Sequence, residues 1–249
     1  MAINEPRFYL VYDLETTPRP YDGFSDSQQE YILRGANTDE EKTKKLGEMA
    51  LSPLTGKIIC IGLQLMETLE DGSYKLKKKK AFAADDTISQ PVLKQLESGA
   101  ECEIMGEKDI ISSFWKFFQK EEYKNVQLIT FNGRNFDAPF LMLRSAILGI
   151  KPTRNLMEGT KFTYHFHTDL LDELTFFNPG PYGATRRFNF DFYTREFGIT
   201  SPKSAGIDGS KVSEFYNDGK ILDIAEYCLR DVTATWELFL KWREYLKMS

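Results

Sequence analysis

The chain has 249 residues, enough for one large domain or two small ones, and its 19 Phe and 12 Tyr can fill a substantial core. Its 37 acidic and 32 basic side chains leave a net charge of −5, which argues against a protein that coats long duplex nucleic acid electrostatically. No apolar run approaches the ~20 residues of a membrane span. The three cysteines, Cys60, Cys102 and Cys228, lie far apart without a C-x-x-C pair, which suits a reducing, cytoplasmic setting and argues against a disulfide framework or zinc site.

In chain order, FYLVYDLETT (8–17) reads as a buried strand of aromatic and β-branched residues that ends in Asp13 and Glu15. Side chains two apart leave one face of a strand, so these acids point together. Two adjacent carboxylates repel unless a cation sits between them; a strand simply ending in solvated acids is the alternative. Residues 18–56 break the pattern. A short helix with Ser27 and Glu30 spaced as a capping box, then a polar helix from Asp39 to about Ala50, read as a surface insertion.

KIICIGLQLM (57–66) is a buried strand, and YKLKKKKAFAA reads as its hairpin partner. There Lys77 to Lys80 read as the solvated face of an edge strand. Ile110, Ile111, Phe114, Phe117 and Phe118 fall at helical spacing, and VQLITFN (126–132) is the next strand. In TFNGRNFDAPFLMLRSAILGI (130–150), Asp137 opens a helix whose apolar face is Phe140, Leu141, Leu143, Ile147 and Leu148. His165 and His167 form H-x-H without a third soft ligand, so a structural role is expected. The segment around FFNPGPYGATRRFNFDFYTREFGI reads as a loop and a buried helix, with Arg186 and Arg187 as candidate phosphate contacts. A final helix, about 220–246, carries Tyr227 and Asp231 four apart on one face.

Taken together, DLETT, NGRNFDAPFL and YCLRDVTAT resemble the three exonuclease motifs of the DEDD superfamily of 3′–5′ exonucleases. Tyr227 resembles the mark of the tyrosine subclass; where the histidine subclass carries His, this chain has Glu226. The likeness is to the proofreading exonuclease domain of family-B DNA polymerases in a stand-alone bacterial version, over roughly residues 7–245 apart from 18–56. It implies an α/β, ribonuclease H-like mixed sheet of five strands flanked by helices, a single domain over 1–249 with a helical insertion after the first strand.

It also implies a pair of Mg²⁺ or Mn²⁺ ions held by Asp13, Glu15, Asp137 and Asp231, with Tyr227 orienting the attacking water. Thr16, Asn132 and Phe136 would shape the pocket for the terminal nucleotide, and Lys203, Ser204 and Lys211 would contact phosphate. The implied substrate is the 3′ end of single-stranded nucleic acid, DNA before RNA, with no membrane partner. An RNA exonuclease of the same fold and a catalytically silent binding module are the rival readings. Silence usually shows as a lost carboxylate, and all four are present.

Overall fold

The computed structural model describes residues 6–206 and 209–247, except the side chains of residues 204 and 205. The expected phosphate contact at Ser204 therefore lies outside the described residues. Along the chain, β1 (Phe8–Pro18) is followed by α1 (Asp26–Ile32) and α2 (Asp39–Glu48). Then come β2 (Gly56–Thr68), β3 (Tyr74–Ala84), β4 (Val92–Gln95), β5 (Glu101–Met105) and α3 (Glu107–Phe117). The second half holds β6 (Gln127–Thr130), α4 (Asp137–Ile147), β7 (His167–Asp169), α5 (Leu170–Leu174), α6 (Phe190–Glu196), α7 (Val212–Asn217) and α8 (Ile221–Tyr245).

The strands form one mixed sheet in the order β4-β5-β3-β2-β1-β6-β7. Alternation along β1 sets the layers. Leu10, Tyr12 and Leu14 pack with Ile110 and Phe114 of α3 and Phe140 of α4, while Tyr9 and Val11 pack with Trp236 and Phe239 of α8. Burial on both faces makes β1 a central strand between antiparallel β2 and parallel β6.

Seven strands replace the expected five. β4, β5 and β7 have four, five and three residues, too short for a clear period, and all of β4 is exposed. The lysine run is also not an edge: β3 pairs with both β2 and β5. Lys77, Lys78 and Lys80 form ion pairs with Glu67, Glu101 and Glu103, while Lys79 turns to the other face and donates to Thr233. In α1 the capping box is Ser25 with Gln28 rather than Ser27 with Glu30. In α4 the buried face is Ala138, Phe140, Leu141 and Ser145, and Leu143 and Ile147 are exposed. α6 is only half-buried, with Thr194 its one buried residue. His167 is structural: its Nε2 bonds the Thr130 hydroxyl at 2.8 Å, and burial pushes its pKa down to about 3.

A buried ion pair fixes α4 against the sheet. Glu107 takes both Arg144 Nε and Nη2, at 2.7 and 2.8 Å, and also accepts the Ile58 backbone N–H. Removing either partner would strand a buried charge, at a cost of about 3–5 kcal/mol.

Candidate active site

The site begins where a short strand ends. β6 pairs with β1 only from Tyr9 to Val11, whereas β2 follows β1 to Pro18, so one edge of β1 is open beyond Val11. There Asp137 Oδ1 accepts the Leu14 backbone N–H at 3.0 Å, taking the place of a missing ladder partner. Asp13 and Glu15 continue the Tyr9–Val11 alternation and face α8.

Asp137 depends on the tight turn after β6. Asn132 has φ 63°, and a Cβ on Gly133 would lie 2.4 Å from the Thr130 side chain, so only glycine fits there. Asp169, on β7, clamps this turn. Its carboxylate accepts N–H bonds from Asn132 (2.8 Å), Arg134 (2.8 Å) and Leu171 (3.0 Å), the last capping α5. Burial pushes its pKa up to about 6 despite those bonds. HTDLLDEL adds to the family likeness, but nothing in the sequence marks Asp169, one of three acids there with Asp172 and Glu173, as the one that caps backbone N–H groups.

α8 supplies the third side of the site, and Gly62 lets it come close. Gly62 stands opposite Asp13 on β2, and a Cβ there would meet Cys228 Sγ at 2.8 Å and Cys228 O at 3.2 Å. Cys228 is buried with its Sγ 3.7 Å from Asp13 Oδ2 and 3.5 Å from the Asp13 carbonyl. Donor atoms of Asp13, Glu15 and Cys228 all lie within 4.8 Å of one another. Neither Gly62 nor Cys228 carried a sequence signal beyond an apolar strand and an apolar stripe.

The acids converge so closely that they disturb each other. Burial first, then the charges of Asp137, Asp231 and Glu15, hold the Asp13 pKa well above the usual carboxylate range. Glu15 is raised by burial, Asp231, Cys60 and Asp137. Burial pushes Asp137 and Asp231 each up to about 7. The Tyr227 hydroxyl beside Asp231 opposes that rise, as do the charges of Arg230 and Lys203. Tyr227 itself is raised by burial and by Asp231, Glu15 and Asp13, so it stays protonated at neutral pH. Carboxylate oxygens crowded at one strand end suit a hard divalent cation, whose charge would relieve the repulsion.

A cleft of about 810 Å³ opens beside these acids. Glu15, Thr16 and Phe136 line it together with Thr43, Lys44 and residues 46–51 of the insertion. The expected surface excursion thus walls the cleft. Thr16 Oγ1 donates to the Ala50 carbonyl at 2.8 Å, tying β1 to it. Phe136 packs on Phe140 with its ring half-exposed toward the cleft. Asn132 is held by Asp169 and does not line the cleft. Lys203 is exposed and near enough for its charge to act on Asp231, whereas exposed Lys211 donates to the Gly206 carbonyl. Among the described residues no helix is long and apolar enough to cross a membrane.

No curated protein matches the sequence. The fold is similar to that of the family B DNA polymerase from the hyperthermophilic archaeon Pyrobaculum calidifontis, with a TM-score of 0.54 and 18% identity. The similarity covers 96% of this chain and 25% of that polymerase, so the chain spans about a quarter of its length. The shared architecture is the mixed, ribonuclease H-like sheet with flanking helices. Residues 80–248 match the family described as predicted 3′-5′ exonucleases related to the exonuclease domain of PolB. That span includes Asp137, Tyr227 and Asp231; Asp13 and Glu15 precede it and are joined to them by the fold. The chain belongs to this family of predicted 3′-5′ exonucleases related to the exonuclease domain of PolB.

Proposed function

We propose that this chain is a metal-dependent 3′–5′ exonuclease that hydrolyses the terminal phosphodiester of single-stranded DNA and releases nucleoside monophosphates. Residues 1–249 act as one domain with 18–56 as its insertion. The observation that carries this reading is the meeting of buried Glu15 and Asp137 with half-buried Asp13 and Asp231, from three distant segments, at the open edge of β1, where Glu15 faces a cleft of about 810 Å³.

Asp13, Glu15 and Asp231 would hold one Mg²⁺ or Mn²⁺, and Asp137, with Asp13, a second. When bound, the ions supply positive charge that activates water and neutralises the leaving oxygen. The chain's own groups do the rest. Tyr227 cannot act as a base, because burial and the neighbouring carboxylates keep its proton on. With its O–H directed to Asp231, its oxygen can accept a hydrogen bond and orient the attacking water.

Thr16 and Phe136 seat the terminal nucleotide against the insertion, and a paired end must fray to enter. Lys203, near Asp231, contacts phosphate together with Ser204 and Lys211, and Asn132 shapes the nucleotide pocket through the turn that carries Asp137. The test is digestion in chelator and after adding Mg²⁺ or Mn²⁺. Activity should vanish and return, with DNA preferred to matched RNA. Full activity in chelator would overturn the proposal.

A further inference from the structure

Eight aromatic rings are exposed among the described residues, and six of them fall within residues 160–192: Phe162, Phe166, Phe176, Tyr182, Phe188 and Phe192. Tyr182 is 85% exposed, and Phe162 and Phe176 are each 63% exposed. Rings facing water add nothing to the core. The backbone here is also strained, since Phe166, Phe176 and Phe177 hold φ at 56°, 52° and 54°. Bulky residues rarely adopt the left-handed region, and such strain gathers at working sites. For Phe176 it leaves the ring in solvent, so packing gives no reason for it.

Cations accompany these rings. Asn135, Lys161, Arg186 and Arg187 line a depression of about 410 Å³ with Pro179, Gly180 and Pro181. Arg187 is tied to Asp172 at 3.2 Å, whereas Lys161 and Arg186 have no carboxylate partner among the described residues and lie over the Phe162 and Phe188 rings. Asn135 stands two residues before Asp137, so the depression starts at the loop that delivers a site acid.

We propose that residues 160–192 form a platform for single-stranded nucleic acid upstream of the 3′ end, its bases stacking on Phe162, Phe176, Tyr182, Phe188 and Phe192 and its phosphates meeting Lys161 and Arg186; Phe166 stands apart, in a cleft with Phe8 and Gln127 at the start of β1 and β6. This rests on the proposed exonuclease reading and extends it to several further nucleotides. Single strands present both a charged backbone and open base faces; a duplex hides its base faces, and an acidic peptide lacks them. With only two or three cations, stacking carries the affinity. The salt slope should therefore be shallow, between about −1.4 and −2.1 on logarithmic axes by the rule of about −0.7 per phosphate.

The test compares wild type with a Phe162→Ala, Tyr182→Ala, Arg186→Ala triple variant whose changed side chains are all exposed. Thermal unfolding verifies folding. Fluorescence anisotropy in chelator measures binding of oligo(dT) of two, six and twelve nucleotides. Wild type should bind the longer strands more tightly, and the variant should lose that gain, by about tenfold for each ring. With Mg²⁺ present, release of the terminal nucleotide from the dinucleotide should be unchanged. An unaltered length gain in the variant overturns the platform, as does displacement of oligo(dT) by polyglutamate or blunt duplex at equal concentration. A wild type that binds with the expected length gain but cleaves nothing would count against the exonuclease reading alone.

Discussion

Asp137 Oδ1 and the Leu14 backbone N–H meet at 3.0 Å across 123 residues of sequence. The bond completes the edge of β1 and brings a third carboxyl to Asp13 and Glu15. Its two roles can be separated. Asp137→Asn keeps an acceptor for Leu14 and removes the charge, so the unfolding temperature of the metal-free protein should hold or rise while cleavage falls beyond the ~10–100-fold typical of an outer-shell ligand partner. Asp137→Ala should lose the same activity and also destabilise the protein by about 1–3 kcal/mol, the cost of an orphaned buried N–H. Equal stability of the two variants would show that the bond does not hold β1.

Metal-free stability should depend on pH in a defined direction. Asp137 and Asp231, each pushed up to about 7, keep protons that the unfolded chain loses near pH 4. Folding therefore weakens as pH rises through that window. His167, held at about 3, acts oppositely, since the unfolded chain gains a proton below about 6.5 that the folded one refuses. Asp13, Glu15, Asp169 and Glu173 are also raised, so the carboxyls dominate. The unfolding temperature in chelator should fall from pH 5 to pH 8, and the stabilisation by added Mg²⁺ or Mn²⁺ should grow over the same range. The double variant Asp137→Asn, Asp231→Asn should flatten both trends.

Gly62 tests how closely α8 must approach. Gly62→Ala puts a methyl group 2.8 Å from Cys228 Sγ and 3.1 Å from Val232 Cγ2. Overpacking of this kind costs about 1–3 kcal/mol, and here it also moves Tyr227 and Asp231 away from β1. Turnover should fall at temperatures where the variant remains folded. Cys228→Ala in the same chain should restore part of both properties by removing the sulfur. Wild-type turnover in a destabilised Gly62→Ala protein would show that the helix position is uncritical.

Tyr227 and Asp231 share one face of α8 and should fail differently. Tyr227→Phe keeps the ring, and turnover should drop by ~10²-fold with the metal concentration dependence unchanged. Asp231→Asn should shift that dependence to higher metal as well. Single-turnover rates across a metal titration distinguish the two, and identical titration curves would remove the separate role given to Tyr227.

The acids were legible because each sits beside a pattern: Asp13 and Glu15 at the end of an apolar run, Asp137 at a helix start, Asp231 one turn from Tyr227. What brings them together was not. Asp169 works through three backbone N–H groups, and Gly62 works by what it lacks; neither leaves a periodic trace. β4, β5 and β7 are too short to show a period, and the lysines of β3 concealed a strand paired on both sides. The insertion read as a surface feature because α2 buries no residue, yet its far end turns Met49 inward and Ala50 onto Thr16.

The most direct measurement is time-resolved digestion of single-stranded DNA labelled at the 5′ end or the 3′ end, with Mg²⁺, by wild type and by Asp13→Ala. Wild type should release labelled mononucleotide at once from the 3′-labelled strand and produce a descending ladder from the 5′-labelled one. Asp13→Ala, folded by its unfolding transition, should do neither. Cleavage of a closed circular single strand, mononucleotide release from the 5′ end first, or wild-type activity in Asp13→Ala would contradict the account.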